Sequence, residues 1–146
     1  METSSSTEDL MRLLHEGALG DVVRGDGLLP PFPEYLARLC GERKVARERV
    51  IQRAGIERSY GHQLFNGTRR PSRDKVIQLA LGLQLDLKET QDLLKVARQG
   101  QLVPQVKRDA AILYCVIHNL DISQVQSLLE NFNMHMLGSK VSKEAT

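Results

Sequence analysis

Residues 73–95 and 108–130 carry one pattern twice, 35 residues apart and without a gap. RDKVIQLALGLQLDLKETQDLLK lies over RDAAILYCVIHNLDISQVQSLLE, and both copies share Arg-Asp at the start, Leu-Asp in the middle and Leu-Leu near the end. Apolar residues recur at three- and four-residue intervals, the period of a half-buried helix rather than a strand. Each copy therefore reads as a helical hairpin. Leu85 or Leu120 plugs the corner, and Asp86 or Asp121 caps the second helix. Such hairpins bury each other's faces, and two copies are too few for a solenoid. Arg73 and Arg108 read most simply as helix-start residues. The stretch AAILYCVI (110–117) is apolar on most sides, so its helix is either central or partly covered by a second molecule. Homodimerisation or partner binding through these C-terminal helices is the expectation.

The rest of the chain is compatible with the same class. Of the 146 residues, 41% are hydrophobic but only 4% aromatic, with no Trp. The core must be aliphatic, and aliphatic residues at helical spacing predict an all-α, compact helical bundle. No apolar run approaches the ~18 residues needed to span a bilayer, so no membrane partner is expected. The N-terminus lacks a basic start before an apolar run and is no secretory signal. Cys40 and Cys115 stand alone, as reduced thiols of a cytoplasmic protein do.

Punctuation divides the chain. Residues 1–31 read as an acidic tail holding a short amphipathic helix, broken near Gly17 and Gly20. The triplet Arg24-Gly25-Asp26 belongs to a turn. Helices are predicted from Pro33, over 47–53, from Arg58 or Ser59 to Asn66, over 73–83 behind a Ser72 cap, and from Asp86 to near Gly100. Gly55 and Gly67 supply turns in which positive φ is cheap. Residues 32–100 make one domain, 101–137 a hairpin packed on it (helices over 105–118 and from Asp121 to Phe132), and 138–146 a loose tail. Asp86 with Glu89, and Asp121 with Gln124, have capping-box spacing.

Charge is segregated. Residues 1–37 hold seven acids against Arg12 and Arg24, a balance of −5; residues 38–73 hold ten Lys/Arg against three Glu, +7; the remainder balances at eight and eight. A compact basic helical unit in a chain of net charge +2 is the footprint of a phosphate-backbone binder. A solvated basic face with no ligand would look the same by charge alone.

The motif order sharpens this reading. In VIQRAGIERSYGHQLFNGTRRPSRDKVIQLALGLQLDLKET, a helix ends in Gly55-Ile56, a short helix RSYGHQLFNG follows, and then comes Gly67-Thr68-Arg69-Arg70-Pro71-Ser72. This stretch resembles the Cro/repressor-type (Xre-like) helix-turn-helix family of bacterial and phage regulators. The resemblance implies a lambda-repressor-like domain of about five helices and double-stranded DNA as partner, with residues 58–66 as the recognition helix in the major groove. It implies that Arg58, Ser59, His62, Gln63 and Asn66 face bases, with Gln63 or Asn66 on adenine and Arg58 on guanine. Arg47, Thr68, Arg69 and Arg70 would grip phosphates. Ala46 and Arg47 stand where the family often has Thr and Gln. Ile51 replaces a small Ala and Gly61 a larger apolar residue, a pair read as compensating across the two helices. Gly61 costs the helix about 1 kcal/mol against Ala, and neither it nor Phe65 suits a groove reader.

The fuller pattern, with its second Arg-Asp hairpin, also resembles a subgroup of small bacterial proteins associated with neighbouring Ser/Thr kinases. That implies the alternative: a helix-turn-helix scaffold used for protein binding, as adaptor or substrate of a kinase, with Ser4-Ser5-Ser6-Thr7 as a phosphorylation target. A merely flexible tail is the plainer reading of those residues.

Nothing in the sequence asks for catalysis. No nucleophile-elbow, GxxxxGK[ST] or GxGxxG pattern occurs. His15, His62, His118 and His135 lack metal-ligand spacing. No enzyme activity, cofactor or metal is expected. Tyr60 either packs or touches a phosphate, and packing is the simpler role.

Overall fold

The computed structural model describes residues 6–138. The tail expected beyond Gly138, and Ser4-Ser5 of the serine-rich segment, lie outside the described residues. Two units separate, residues 1–30 and the chain from Pro31 onward.

The first unit holds α1 (Thr7–His15) and α2 (Leu19–Arg24). The Ser6 hydroxyl accepts the Asp9 N–H at 3.1 Å, and Glu8 and Asp9 sit in the first turn, where the helix dipole favours them. Ser6 and Thr7, read from the sequence as part of a flexible tail, therefore cap and open a helix. The break falls at Gly17, whose φ of 83° reverses the chain. Gly20 does not break the helix but lies within α2, because its position asks for no left-handed backbone.

Among the described residues of the second unit every regular element is a helix. It contains α3 (Phe32–Arg43), α4 (Arg47–Ala54), α5 (Arg58–Asn66), α6 (Arg73–Gly82), α7 (Leu87–Val96), α8 (Lys107–Ile117) and α9 (Ile122–Asn131). Leu36, Val50, Ile51, Leu64, Ile77, Leu79, Leu93, Leu94, Ile112 and Leu129 form its fully buried centre. Ser72, Asp86 and Asp121 cap α6, α7 and α9, and Glu89 and Gln124 complete two capping boxes. The helix predicted to reach Gly100 stops at Val96, where Arg98 turns into the left-handed region at φ 60°. The helix predicted from Gln105 begins at Lys107, after a turn through 104–106.

Two side-chain choices seat α4 on α6. A Cβ on Gly82 would lie 2.6 Å from the Val50 carbonyl oxygen and 3.0 Å from the Ala54 nitrogen, so only glycine lets these backbones approach. Buried Gln78 donates through Nε2 to the Ala54 carbonyl at 3.0 Å. It thereby satisfies an acceptor that the C-terminus of α4 leaves open.

The 35-residue repeat is structural, and it closes on itself. Gln84 and Asn119 share φ 57°, and Arg98 and Asn133 have φ 60° and 58°. Gln91 exchanges two hydrogen bonds with the Leu102 backbone, both 2.8 Å; Gln126 does the same with Leu137, at 2.9 and 2.7 Å. Arg73 donates to Asp109 at 2.9 and 2.8 Å, and Arg108 donates to Asp74 at 3.0 and 2.9 Å. A translational repeat would pair Arg108 with position 144. Its return to Asp74 instead means that the hairpins exchange places, as in a twofold dimer. Arg73 and Arg108 are thus more than helix-start residues. Each also donates to its own hairpin's exit loop, Arg73 to the Gly100 and Gln101 carbonyls and Arg108 to those of His135 and Met136. The C-terminal ends of α6 and α8 and the turns after them flank one depression, lined by Leu81, Gln84, Leu85, Val116, Asn119 and Leu120. With their N-termini joined by the two ion pairs and their C-termini flanking one depression, the two helices run in roughly the same direction.

Candidate nucleic-acid interface

Helix α4 and helix α5 meet at a turn built on Gly55, whose φ of 70° is left-handed. Ile56 is buried behind it. Glu57 starts α5 by accepting the Ser59 and Tyr60 N–H groups at 3.0 and 2.9 Å. These bonds hold its carboxyl below the usual range. Sequence reasoning missed this cap because Glu is not among the residues that commonly cap helices.

The inner face of α5 is apolar. Leu64 and Phe65 are buried, Phe65 with 2% of its surface exposed. The Arg47 guanidinium lies over the Phe65 ring, 5.2 Å from its centroid. A Cβ on Gly61 would stand 2.6–2.8 Å from three carbons of Ile51. The isoleucine fills the volume that a larger residue at 61 would take, so the pair compensates as its sequence suggested. Phe65 and Gly61 both face the core. Neither lies on the outward surface, so Phe65 does not stand in the way of a groove, while the helix-propensity cost of Gly61 is unaffected by its facing inward.

The outward residues of α5 are already engaged. Arg58 donates through Nε to both Glu48 oxygens at 3.1 Å, and its Nη2 lies 2.9 Å from Glu48 Oε2. His62 Nε2 lies 2.7 Å from the same oxygen. The hydrogen bonds from Arg58 and His62 hold the Glu48 carboxyl below its ordinary range. Ser59 is exposed. Gln63 accepts Arg69 Nε at 3.2 Å. Asn66 Oδ1 accepts the Thr68 N–H and hydroxyl at 3.0 and 2.8 Å, which shapes the loop after α5. Glu48 escaped sequence reading because its partners lie on another helix.

Tyr60, which packs against the core, holds one cation of the loop and one of α6. Arg69 and Lys75 sit over its ring at 4.3 and 5.2 Å. Arg70 is exposed and has no hydrogen-bond or ion-pair partner among the described residues. Arg47, Thr68, Arg69 and Arg70 are all solvent-exposed.

Residues 32–93 match the family model of a helix-turn-helix domain. This segment is a helix-turn-helix domain. The match covers α3 to α6 and most of α7, the elements in which the Cro/repressor-type order is read. No curated protein and no solved structure matches the chain. The helix-turn-helix domain shares its unit with α8 and α9, and Ile122 of α9 lies against Gly55 at its central turn. Among the described residues no group of His, Cys, Asp and Glu is placed to hold a metal ion, and no helix is long and apolar enough to cross a membrane.

Proposed function

We propose that the chain is a cytoplasmic, non-catalytic DNA-binding regulator that presents α5 to the major groove of duplex DNA. The observation that carries the reading is the exposed set Arg47, Arg69 and Arg70, with Thr68, flanking a short helix whose apolar residues all turn inward. Cations beside such a helix suit the phosphates that border a groove. Arg58 reads guanine in this scheme, and Ser59, His62, Gln63 and Asn66 line the same outward face. The test is affinity for duplex DNA titrated against salt. Neutralising two phosphate contacts in Arg69→Ala/Arg70→Ala should reduce the slope of log affinity against log salt by about 1.8. An unchanged slope would remove the reading.

A second reading, protein binding through the C-terminal hairpin, has its own observation. Gln78 and Gly82 of α6 touch α4, and their counterparts 35 residues on are Leu113 and Ile117 of α8. On α8, Tyr114 and Ile117 are 52% and 57% exposed, and His118 stacks beside Tyr114 at 4.3 Å. A homodimer through α8 would cover that face, as would a protein partner such as a kinase. Light scattering on the full chain and on Tyr114→Ser/Ile117→Ser distinguishes them. A dimer that becomes a monomer supports self-association, whereas a monomer in both cases directs the face to another protein.

A further inference from the structure

Glu48 is an acid on the surface through which the proposed regulator would meet a polyanion. Its carboxylate is directed at two of the residues that would read bases. The Arg58 guanidinium is planar and has five N–H donors arranged along its edges. Glu48 takes one edge, Nε and Nη2, at 3.1, 3.1 and 2.9 Å. Nη1 and the second N–H of Nη2 form the remaining edge, and Nη1 has no partner among the described residues. A guanine in the major groove offers O6 and N7, two acceptors side by side that match such an edge. His62 holds Glu48 Oε2 at 2.7 Å, so the carboxylate is itself fixed. All three side chains remain open to solvent, at 76% for Arg58, 54% for Glu48 and 35% for His62.

We propose that Glu48 is a positioning residue for base reading: braced by His62, it orients Arg58 so that the free guanidinium edge addresses one guanine. The inference rests on the DNA-binding reading given above. It assigns the carboxylate two effects of opposite sign. It holds Arg58 in one plane, which favours the correct base. It also opposes nearby phosphates, which weakens binding to all sequences alike, so only the first effect widens discrimination. An exposed ion pair with only a structural role would do neither, and its removal would leave base preference untouched.

The test is selection of bound duplexes from a randomised library by the full chain, comparing wild type, Arg58→Ala, Glu48→Ala and Glu48→Gln. Thermal melting of each protein serves as the folding control. The wild type should require guanine at one position, and Arg58→Ala should lose that requirement. Glu48→Ala should weaken the guanine preference about five-fold, the low end of what a bidentate base contact discriminates, while binding a scrambled duplex more tightly. Glu48→Gln keeps an acceptor without the charge and should fall between the two. A guanine preference in Glu48→Ala within two-fold of wild type overturns this inference alone, as does a selected site in which Arg58→Ala changes no guanine position. A wild-type chain that selects no sequence overturns the DNA-reading proposal and this inference with it.

Discussion

Arg73 holds both oxygens of the Asp109 carboxylate, at 2.9 and 2.8 Å, across the join between the two hairpins. The Asp109 side chain is 4% exposed and also accepts the Val103 N–H at 3.0 Å. Removing Arg73 leaves the buried carboxylate without its counter-charge. Arg73→Ala should therefore cost about 3 kcal/mol of unfolding free energy, the low end for a broken buried pair. Asp109→Ala should cost less, because the Arg73 left behind is partly exposed, can hydrate and keeps the Gly100 and Gln101 carbonyls. Denaturant titration of both single variants and the double variant gives the coupling. Additive losses would show that the pair contributes nothing jointly.

Acid should weaken the same join. Burial pushes the Asp109 and Asp74 carboxyls up, but hydrogen bonds from Arg73 and the Val103 N–H, and from Arg108 and the Gly138 N–H, outweigh it. Both folded-state values therefore lie below the unfolded value of about 3.9. Unfolding then binds protons, so the stabilisation is complete above about pH 4 and is lost as pH falls through the lower folded values. The wild type should lose stability over that acid range. Asp74→Asn/Asp109→Asn should start less stable and lose less. Equal slopes below pH 4 would refute the assignment.

Gly61 and Ile51 occupy one space. Gly61→Ala gains about 1 kcal/mol of helix propensity but forces a Cβ within 2.6–2.8 Å of a buried isoleucine. Overpacking of this kind typically costs 1–3 kcal/mol, so Gly61→Ala should be net neutral to destabilising by about 2 kcal/mol. Adding Ile51→Ala should then cost less on the Gly61→Ala background than on wild type. Thermal melts of the four proteins check this, and equal costs on both backgrounds would count against the shared-space account.

Gln78 ties α6 to the end of α4. Replacing it with Leu keeps the bulk but strands the Ala54 carbonyl, at a cost of about 1–3 kcal/mol. Hydrogen exchange should rise at the N–H groups around Gly55 in Gln78→Leu. Unchanged protection at this turn would mean that other contacts suffice to hold it.

Much of this was legible in residue order. Capping-box spacing at Asp86 and Asp121 marked two helix starts, and both boxes form. The Ile51/Gly61 compensation was readable because a change of volume at one position of a known contact predicts its complement. The helix N-cap at Glu57 and the early end of α7 were not, since helix ends depend on a few hydrogen bonds that many residue types can supply.

The sequence alone determined an aliphatic, all-helical chain, its hairpin repeat and a basic unit around a helix-turn-helix motif, because periodicity, caps and charge are local properties. Tertiary structure decided three things that span helices. It set the repeat as a closed, twofold-like pair, since Arg108 returns to Asp74. It turned Phe65 and Gly61 inward. And it placed Glu48 against Arg58 and His62, 10 and 14 residues away. Each depends on how two helices cross, and a crossing angle arises from packing many side chains at once, which no single window of sequence contains.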